Sequence, residues 1–345
     1  IICGWNSTKF DLPYIKLRFK KYGIRYQFNE NLHVDLMKRY IKLFAPGMTL
    51  MGLRSFSLND MSKTFLNEKK VEFEGKIWDL FRKDPQKLRE YNTQDAMLVK
   101  RLNEKMKTLE LMIKEAVLTK TKMDKFFIGN LLDNYIINES HKRGEKVISK
   151  PSKEELEKRK QIFIRGAYVM KPKKGYYDNV CIYDFKSLYP SIIVGWNIGS
   201  DSLITKTSYL SSKYMYEWLN GRKIEEVDID EWKRFLDRQK RYFDPDNKYI
   251  HSCNNQFFSR EKVSFIGELV ESLLREREIY KKEVDKYEIG TAEYNNAKAQ
   301  QEIVKEMANS MFGITADRES RYFDKRICEA ITLTGQYMNK LAARL

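Results

Sequence analysis

Apolar positions recur at helical spacing through most of the chain. After Asp11, the residues Tyr14, Leu17 and Phe19 predict a helix. A second helix is predicted from Pro85 through Leu102, with Leu88, Tyr91, Asp95, Leu98 and Leu102 on or near one face. Residues 106 to about 160 are helical in pattern and highly charged, and Ser152-Lys153-Glu154-Glu155 reads as a capping box before a short helix. The pattern then changes. Ile162-Phe163-Ile164, Ala167-Tyr168-Val169 and Val180-Cys181-Ile182-Tyr183 are short apolar runs that predict strands, with Lys171-Pro172-Lys173-Lys174-Gly175 as a hairpin turn. Residues 201 to about 256 are polar and irregular, and no role is legible there. Residues 264–289 and 291–312 predict two long amphipathic helices, with Gly290 at the tip of a helical hairpin. A strand near 321–323 and a last helix from Ile327 complete the pattern. The chain opens in what reads as a buried strand and stops at Leu345 inside a helical pattern, so both ends read as cut.

Composition narrows the classes. A chain of 345 residues has room for more than one domain, and its 42% hydrophobic content supplies a core. With only 16 Gly and 7 Pro it is neither disordered nor fibrous. The formal net charge of +16 favours a polyanionic partner such as nucleic acid or nucleotide. Cys3, Cys181, Cys253 and Cys328 are far apart and form no CxxC pair, which argues against a zinc site or a disulfide framework and fits a reducing, intracellular setting. No stretch approaches membrane-spanning length.

Five stretches carry candidate chemistry. In Val180-Cys181-Ile182-Tyr183-Asp184-Phe185-Lys186-Ser187-Leu188-Tyr189-Pro190-Ser191-Ile192-Ile193, an apolar strand delivers a carboxylate, a turn follows, and Pro190 suits the first turn of a new helix. Asp184 there is placed to hold Mg²⁺ through hard oxygen ligands, and the turn's N–H groups to meet a triphosphate; an isolated Asp after a strand is more often a simple turn or cap residue. In Lys305-Glu306-Met307-Ala308-Asn309-Ser310-Met311-Phe312-Gly313, Lys305 and Asn309 share a helix face, extended by Lys298 and Glu302, while Ile303, Val304, Met307 and Met311 are available for packing. On the preceding helix Arg277 and Lys281 are also four apart, a pair able to grip phosphates but common on solvated helices; Arg275 competes with Arg277. Near the start stands Asn6-Ser7-Thr8-Lys9-Phe10-Asp11, and later Tyr91-Asn92-Thr93-Gln94-Asp95, a phenol and a carboxylate on one helix face.

Together these strings resemble the family B DNA polymerases, in the family's motif order and over nearly the whole chain. The resemblance implies that Asp184 is a ligand of both catalytic metals and Tyr189 the steric gate beneath the deoxyribose, with Ser187 and Leu188 beside the nucleotide. Lys305, Arg277 and Lys281 would meet its phosphates, and Asn309 and Gly313 would lie near the nascent base pair. Phe312 stands where Tyr is commoner. Arg165-Gly166-Ala167-Tyr168-Val169 resembles the family's template-contacting segment. Asp11 and Asp95 would be metal ligands of a proofreading exonuclease and Tyr91 would orient its attacking water, with His33-Val34-Asp35-Leu36 and Ser55-Phe56-Ser57-Leu58 between them as the family often has. Gln336 replaces an expected Arg.

What the resemblance implies is an α/β (α+β) chain. Part of a ribonuclease-H-like exonuclease domain occupies 1–105 and a helical connector 106–161. The first part of a polymerase palm occupies 162–256, a helical-hairpin fingers insertion 257–313, and the second part of the palm 314–345. The expected activity is template-directed DNA synthesis from dNTPs on a primer–template, with 3′–5′ proofreading and two Mg²⁺ per catalytic site. The setting implied is the cytoplasm of a prokaryotic cell or a phage-infected host. An Asp-x-Glu pair would precede Ile1, and an Asp-Thr-Asp motif and thumb would follow Leu345. These parts would come from a longer or a second chain, with a sliding clamp as a further partner. The isolated chain is expected to bind DNA without catalysis. The alternatives are one half of a split polymerase or a non-catalytic DNA-binding subunit. Intact Asp184, Tyr189, Lys305, Asn309, Asp11 and Asp95 argue against the latter.

Overall fold

In the computed structural model, which describes residues 1–25, 29, 32–45, 48–289 and 291–344, two short strands frame the N-terminal part. β1 (Ile2–Gly4) pairs in parallel with β2 (His33–Asp35), Cys3 opposite Val34. Parallel pairing requires a crossover, and α1 (Asp11–Lys21) lies in it. β2 runs directly into α2 (Leu36–Phe44), followed by α3 (Leu58–Leu66), α4 (Ile77–Lys83), α5 (Pro85–Met106) and α6 (Thr108–Thr119). One core joins Val34, Leu36, Tyr40, Met61, Leu98, Leu102 and Met112. The predicted stripe of α5 supplies Leu98 and Leu102, each stabilising the fold by roughly 1.5–3 kcal/mol through burial. Pro85 opens that helix and the Asp84 carboxylate accepts from Lys87 N at 2.9 Å, so its start is set by local chemistry. The buried Arg39 guanidinium is paired with Glu115 at 2.6 Å, as a charge removed from water must be. α1 differs from its pattern: it buries no residue, and Tyr14 and Leu17 are exposed.

The chain divides into two compact units, Ile1–Leu131 and Leu132–Leu345. α7 (Ile128–Lys142) spans the division and α8 (Lys153–Lys160) follows, capped by Ser152 Oγ, which accepts from Glu155 N at 3.2 Å. Next come α9 (Leu188–Gly195), α10 (Thr205–Leu219), a 3₁₀ turn at Ile224–Glu226 and α11 (Ile229–Phe243). β3 (Tyr249–His251) and β4 (Phe257–Ser259) form an antiparallel pair. α12 (Phe265–Val284) and α13 (Ala292–Ala316) pack along each other as the predicted helical hairpin, and α14 (Lys325–Ala342) closes the unit. The predicted tip, Gly290, lies outside the described residues. α9 packs against α12, α13 and α14.

Three expectations fail. Residues 162–183 form no strand, and Lys171–Gly175 therefore joins no hairpin. Ile182 and Tyr183 are about nine-tenths exposed; a strand needs a neighbour's backbone groups, and no described segment pairs with this one. Residues 321–323 turn instead of extending, because Arg321 reaches Asp133 at 2.7 Å and the Ile148 carbonyl at 2.6 Å. Residues 201–256, which gave no legible element, hold two helices and the first strand of the β3–β4 hairpin. Ile229, Trp232 and Phe235 of α11 are buried at helical spacing behind the Asp228 cap. That signal was present, but Lys and Arg crowd the same helix. No helix among the described residues is long and apolar enough to cross a membrane.

Candidate active sites

The turn 185–187 leads into α9 through Ser187, which takes a left-handed conformation at φ 52°. Such a backbone costs a non-glycine residue on the order of 1 kcal/mol, and here it is held from the side: Arg277 Nη1 donates to Ser187 Oγ at 2.7 Å. A cleft of 520 Å³ opens at this point, lined by Asp184, Ser187, Leu188, Tyr189, Arg277, Lys305 and Asn309, with Phe185, Lys186 and Pro190. Three stretches far apart in sequence thus meet. On α13 the buried Ile303, Val304, Met307 and Met311 face inward, so helical periodicity turns Lys305 and Asn309 outward to the cleft. Arg277 lines it and Arg275 does not; Arg275 is exposed and pairs with Glu271 at 2.8 Å. Lys281 and Gly313 also lie outside the lining.

Tyr189 is half-buried, and burial raises its phenol pKa. Its ring packs against Phe312 with centroids 4.9 Å apart and planes at 51°. Arg277 and Lys305 outnumber Asp184 among these cleft residues, an arrangement that attracts a polyphosphate. Lys186 is neutralised by Glu278 at 2.8 Å.

The segment 165–169, whose last three residues read as a strand, is held by α14 instead. Glu329 Oε1 accepts from Arg165 N at 3.0 Å, Thr332 Oγ1 donates to Arg165 O at 2.7 Å, and Gln336 Nε2 donates to Gly166 O at 2.7 Å. These three side chains share a face of α14, so its side chains satisfy backbone groups that a sheet would otherwise pair. Gln336, which departs from the expected Arg, serves this contact. Ala167 is exposed, and Lys340 Nζ lies 5.6 Å from the Tyr168 ring centre.

In the first unit a cavity of 870 Å³ is lined by Asp11, Asn92, Asp95, Lys70, Ser7 and His33 among others. The loop before Asp11 is pinned by Asp35, whose carboxylate accepts from Asn6 N at 2.9 Å, Thr8 N at 3.1 Å and Thr8 Oγ1 at 2.6 Å. Lys70 links the two predicted residues of α5, reaching Asp95 at 2.6 Å and the Tyr91 hydroxyl at 3.1 Å. Burial opposes its charged form, yet the bonds to Asp95 and Tyr91 prevail and its pKa is raised. No motif marked Lys70, because its partners are more than twenty residues away. Asp95 Oδ1 is buried with no hydrogen-bond partner, an orphaned oxygen of the kind a hard cation fits. Among the described residues no group of three or more His, Cys, Asp or Glu is placed to hold a metal.

The family model for DNA polymerase family B matches residues 107–344, and that of the RNase_H superfamily matches residues 1–107. The chain is similar to a DNA polymerase of Thermococcus gorgonarius, 22% identical over 354 residues, covering 97% of this chain and 41% of that protein. It is similar also to DNA polymerase 1 of Pyrococcus abyssi, 23% identical over 362 residues, covering all of this chain and 42% of that protein. The chain therefore spans about two-fifths of the curated relatives it matches. In fold it resembles the family B DNA polymerase of the hyperthermophilic archaeon Pyrobaculum calidifontis, with a TM-score of 0.67 at 21% identity, over 100% of this chain and 43% of that one.

Proposed function

The chain belongs to DNA polymerase family B, and we propose that it contributes the nucleotide-binding part of a template-directed DNA polymerase and part of its 3′–5′ proofreading exonuclease. The observation that carries this reading is the meeting of Asp184, Tyr189, Arg277, Lys305 and Asn309 in one cleft. In it, residues 1–105 belong to the exonuclease, 106–161 to a helical connector, 162–256 and 314–345 to the palm, and 257–313 to the fingers. The rest of palm and thumb, whether from the same or a second chain, and a sliding clamp complete the machine. The archaeal relatives accord with a replication enzyme working in the cytoplasm of a prokaryotic cell, or of one infected by a virus.

Arg277 and Lys305 neutralise the charge of an incoming dNTP's phosphates, Arg through its fork and Lys as a point charge; Lys281, one turn further along α12, meets the phosphates as they enter. Ser187 and Leu188 frame the triphosphate, and Tyr189 lies beneath the sugar and excludes a 2′-OH. Asn309 and Gly313 flank the nascent base pair, while Gly166, Ala167 and Tyr168 contact the template. Divalent cations, Mg²⁺ in this reading, would be held by Asp184 in one cleft and by Asp11 and Asp95 in the other. Bound there they supply Lewis-acid stabilisation of charge on a phosphoryl group. Beside the exonuclease cavity, whose lining includes Asp95 and Lys70 but not Tyr91, Lys70 holds the Tyr91 hydroxyl and Asp95 together, and Tyr91 orients the attacking water.

The test is single-nucleotide kinetics of the polymerase that contains this chain. Lys305→Ala is expected to lower kcat/KM for dNTPs by about 100-fold, as loss of a charge-assisted phosphate contact does, with 3′ excision unchanged. Unchanged extension kinetics would overturn the assignment.

A further inference from the structure

We propose that Gly335 is a specificity-determining position: it forms the back wall of the sugar-selection site and sets how far the Tyr189 ring reaches into the cleft. The inference rests on the reading of Tyr189 as the sugar gate. Gly335 sits within α14, in the continuously buried stretch from Ile327 to Gln336. Glycine inside a helix is unfavourable relative to alanine, because it loses more backbone entropy and offers no side chain to pack. At Gly335 a close approach explains the residue. A Cβ there would lie 3.0 Å from Tyr189 Cε1, 3.7 Å from Tyr189 Cδ1 and 3.6 Å from Ile192 Cδ1. Gly313 within α13 shows no such neighbour; a Cβ there meets nothing within 4 Å.

The ring is packed on one further side. Phe312 packs on it at 4.9 Å, and Ile192 at the Gly335 side is fully buried. Tyr189 lines the cleft, whereas Phe312, Ile192 and Gly335 do not. The cleft is an open side for the ring to move into. A methyl group at position 335 pushes it there by a few tenths of an ångström, toward the 2′ position of a bound sugar. Selection by contact depends steeply on such distances, since repulsion rises sharply below van der Waals separation. Gly335→Ala is accordingly expected to tighten the gate, so that ribonucleotides lose more than deoxynucleotides and discrimination rises.

A double-mutant cycle in the polymerase containing this chain tests this, with kcat/KM measured for each dNTP and its rNTP. Gly335→Ala is expected to increase the dNTP-to-rNTP ratio about fivefold, the scale of a modest overpacking penalty, with the increase in KM. Tyr189→Ala alone is expected to collapse the ratio. In the Tyr189→Ala background the added methyl no longer meets the ring and keeps only an ordinary contact with Ile192 Cδ1 at 3.6 Å, so the second substitution should leave the ratio where Tyr189→Ala put it. If Gly335→Ala leaves the ratio unchanged while Tyr189→Ala collapses it, the gate stands and the back wall is refuted. If its effect persists without the Tyr189 ring, Gly335 acts through something else and the proposal is likewise refuted. If Tyr189→Ala leaves discrimination intact, the gate reading itself fails. Because the double variant has room for the methyl, a folding defect confined to Gly335→Ala would itself report the predicted clash, and recovery of the thermal transition in the double variant would confirm it.

Discussion

The clefts of the two units use charge in opposite ways. In the second unit, Arg277 and Lys305 stand with Asp184 around a space of 520 Å³. In the first, Asp11 and Asp95 line a space of 870 Å³, and Lys70 is already committed to Asp95 and Tyr91. A phosphate approaching the second cleft meets cations belonging to the chain. One approaching the first meets Asp11 and Asp95 beside lysines that are already paired, Lys70 with Asp95 at 2.6 Å and Lys100 with Glu104 at 3.7 Å; in the proposed reading, bound cations would offset these carboxylates. In the function proposed above, the difference would let one basic chain take part in two phosphate reactions: the site admitting a triphosphate would carry its own positive charge, and the site cutting a 3′ end would borrow it.

The strongest challenge to this comparison is a crossed pair of substitutions. Asp184→Ala is expected to lower primer extension by on the order of 10³-fold and to leave excision of a mismatched 3′ end intact. Asp95→Ala is expected to do the reverse by a similar factor. Each is measured on one primer–template in the enzyme containing this chain, and loss of both activities in either variant would abolish the separation of the two clefts.

Chelation of divalent cations sharpens the electrostatic half of the comparison. Crosslinking of a frayed 3′ end to the first cleft should disappear. Fluorescent dNTP binding at the second should weaken only about tenfold, because Arg277 and Lys305 remain. Equal losses at both sites would mean that the chain's own cations contribute little.

A smaller effect, absent at neutral pH, belongs to the second unit. His251 is partly buried and stacks on Phe257, with ring centroids 4.2 Å apart, and its Nε2 bonds Asn255 Oδ1 at 2.7 Å. Burial pulls its pKa down to about 4 from 6.5. The unfolded chain therefore binds a proton that the folded chain refuses between those values, and stability falls as pH drops through that window. Urea unfolding of the second unit's transition should lose about 2 kcal/mol from pH 7 to pH 5, and His251→Gln should remove that slope. A pH-independent transition in the unsubstituted chain would show that His251 is not held neutral.

Much was legible from sequence where a local rule suffices. Helical periodicity placed Leu98 and Leu102 in the core and turned Lys305 and Asn309 away from Met307 and Met311. Short-range capping chemistry set the starts of α5 and α8. Motif order brought the Asp184 turn, the Arg277 helix and the Lys305 helix into one reading, and these meet in one cleft. Tertiary structure decided whatever depends on distant partners. It chose Arg277 over Arg275 through Ser187, joined Lys70 to Asp95, and brought Gly335 against Tyr189. It also left residues 162–183 without strands and gave the backbone of 165 and 166 to α14. The reason is physical. A helix satisfies its backbone within a few residues, so its face can be read from spacing, whereas a strand or a side-chain contact is completed by groups whose positions no local spacing encodes.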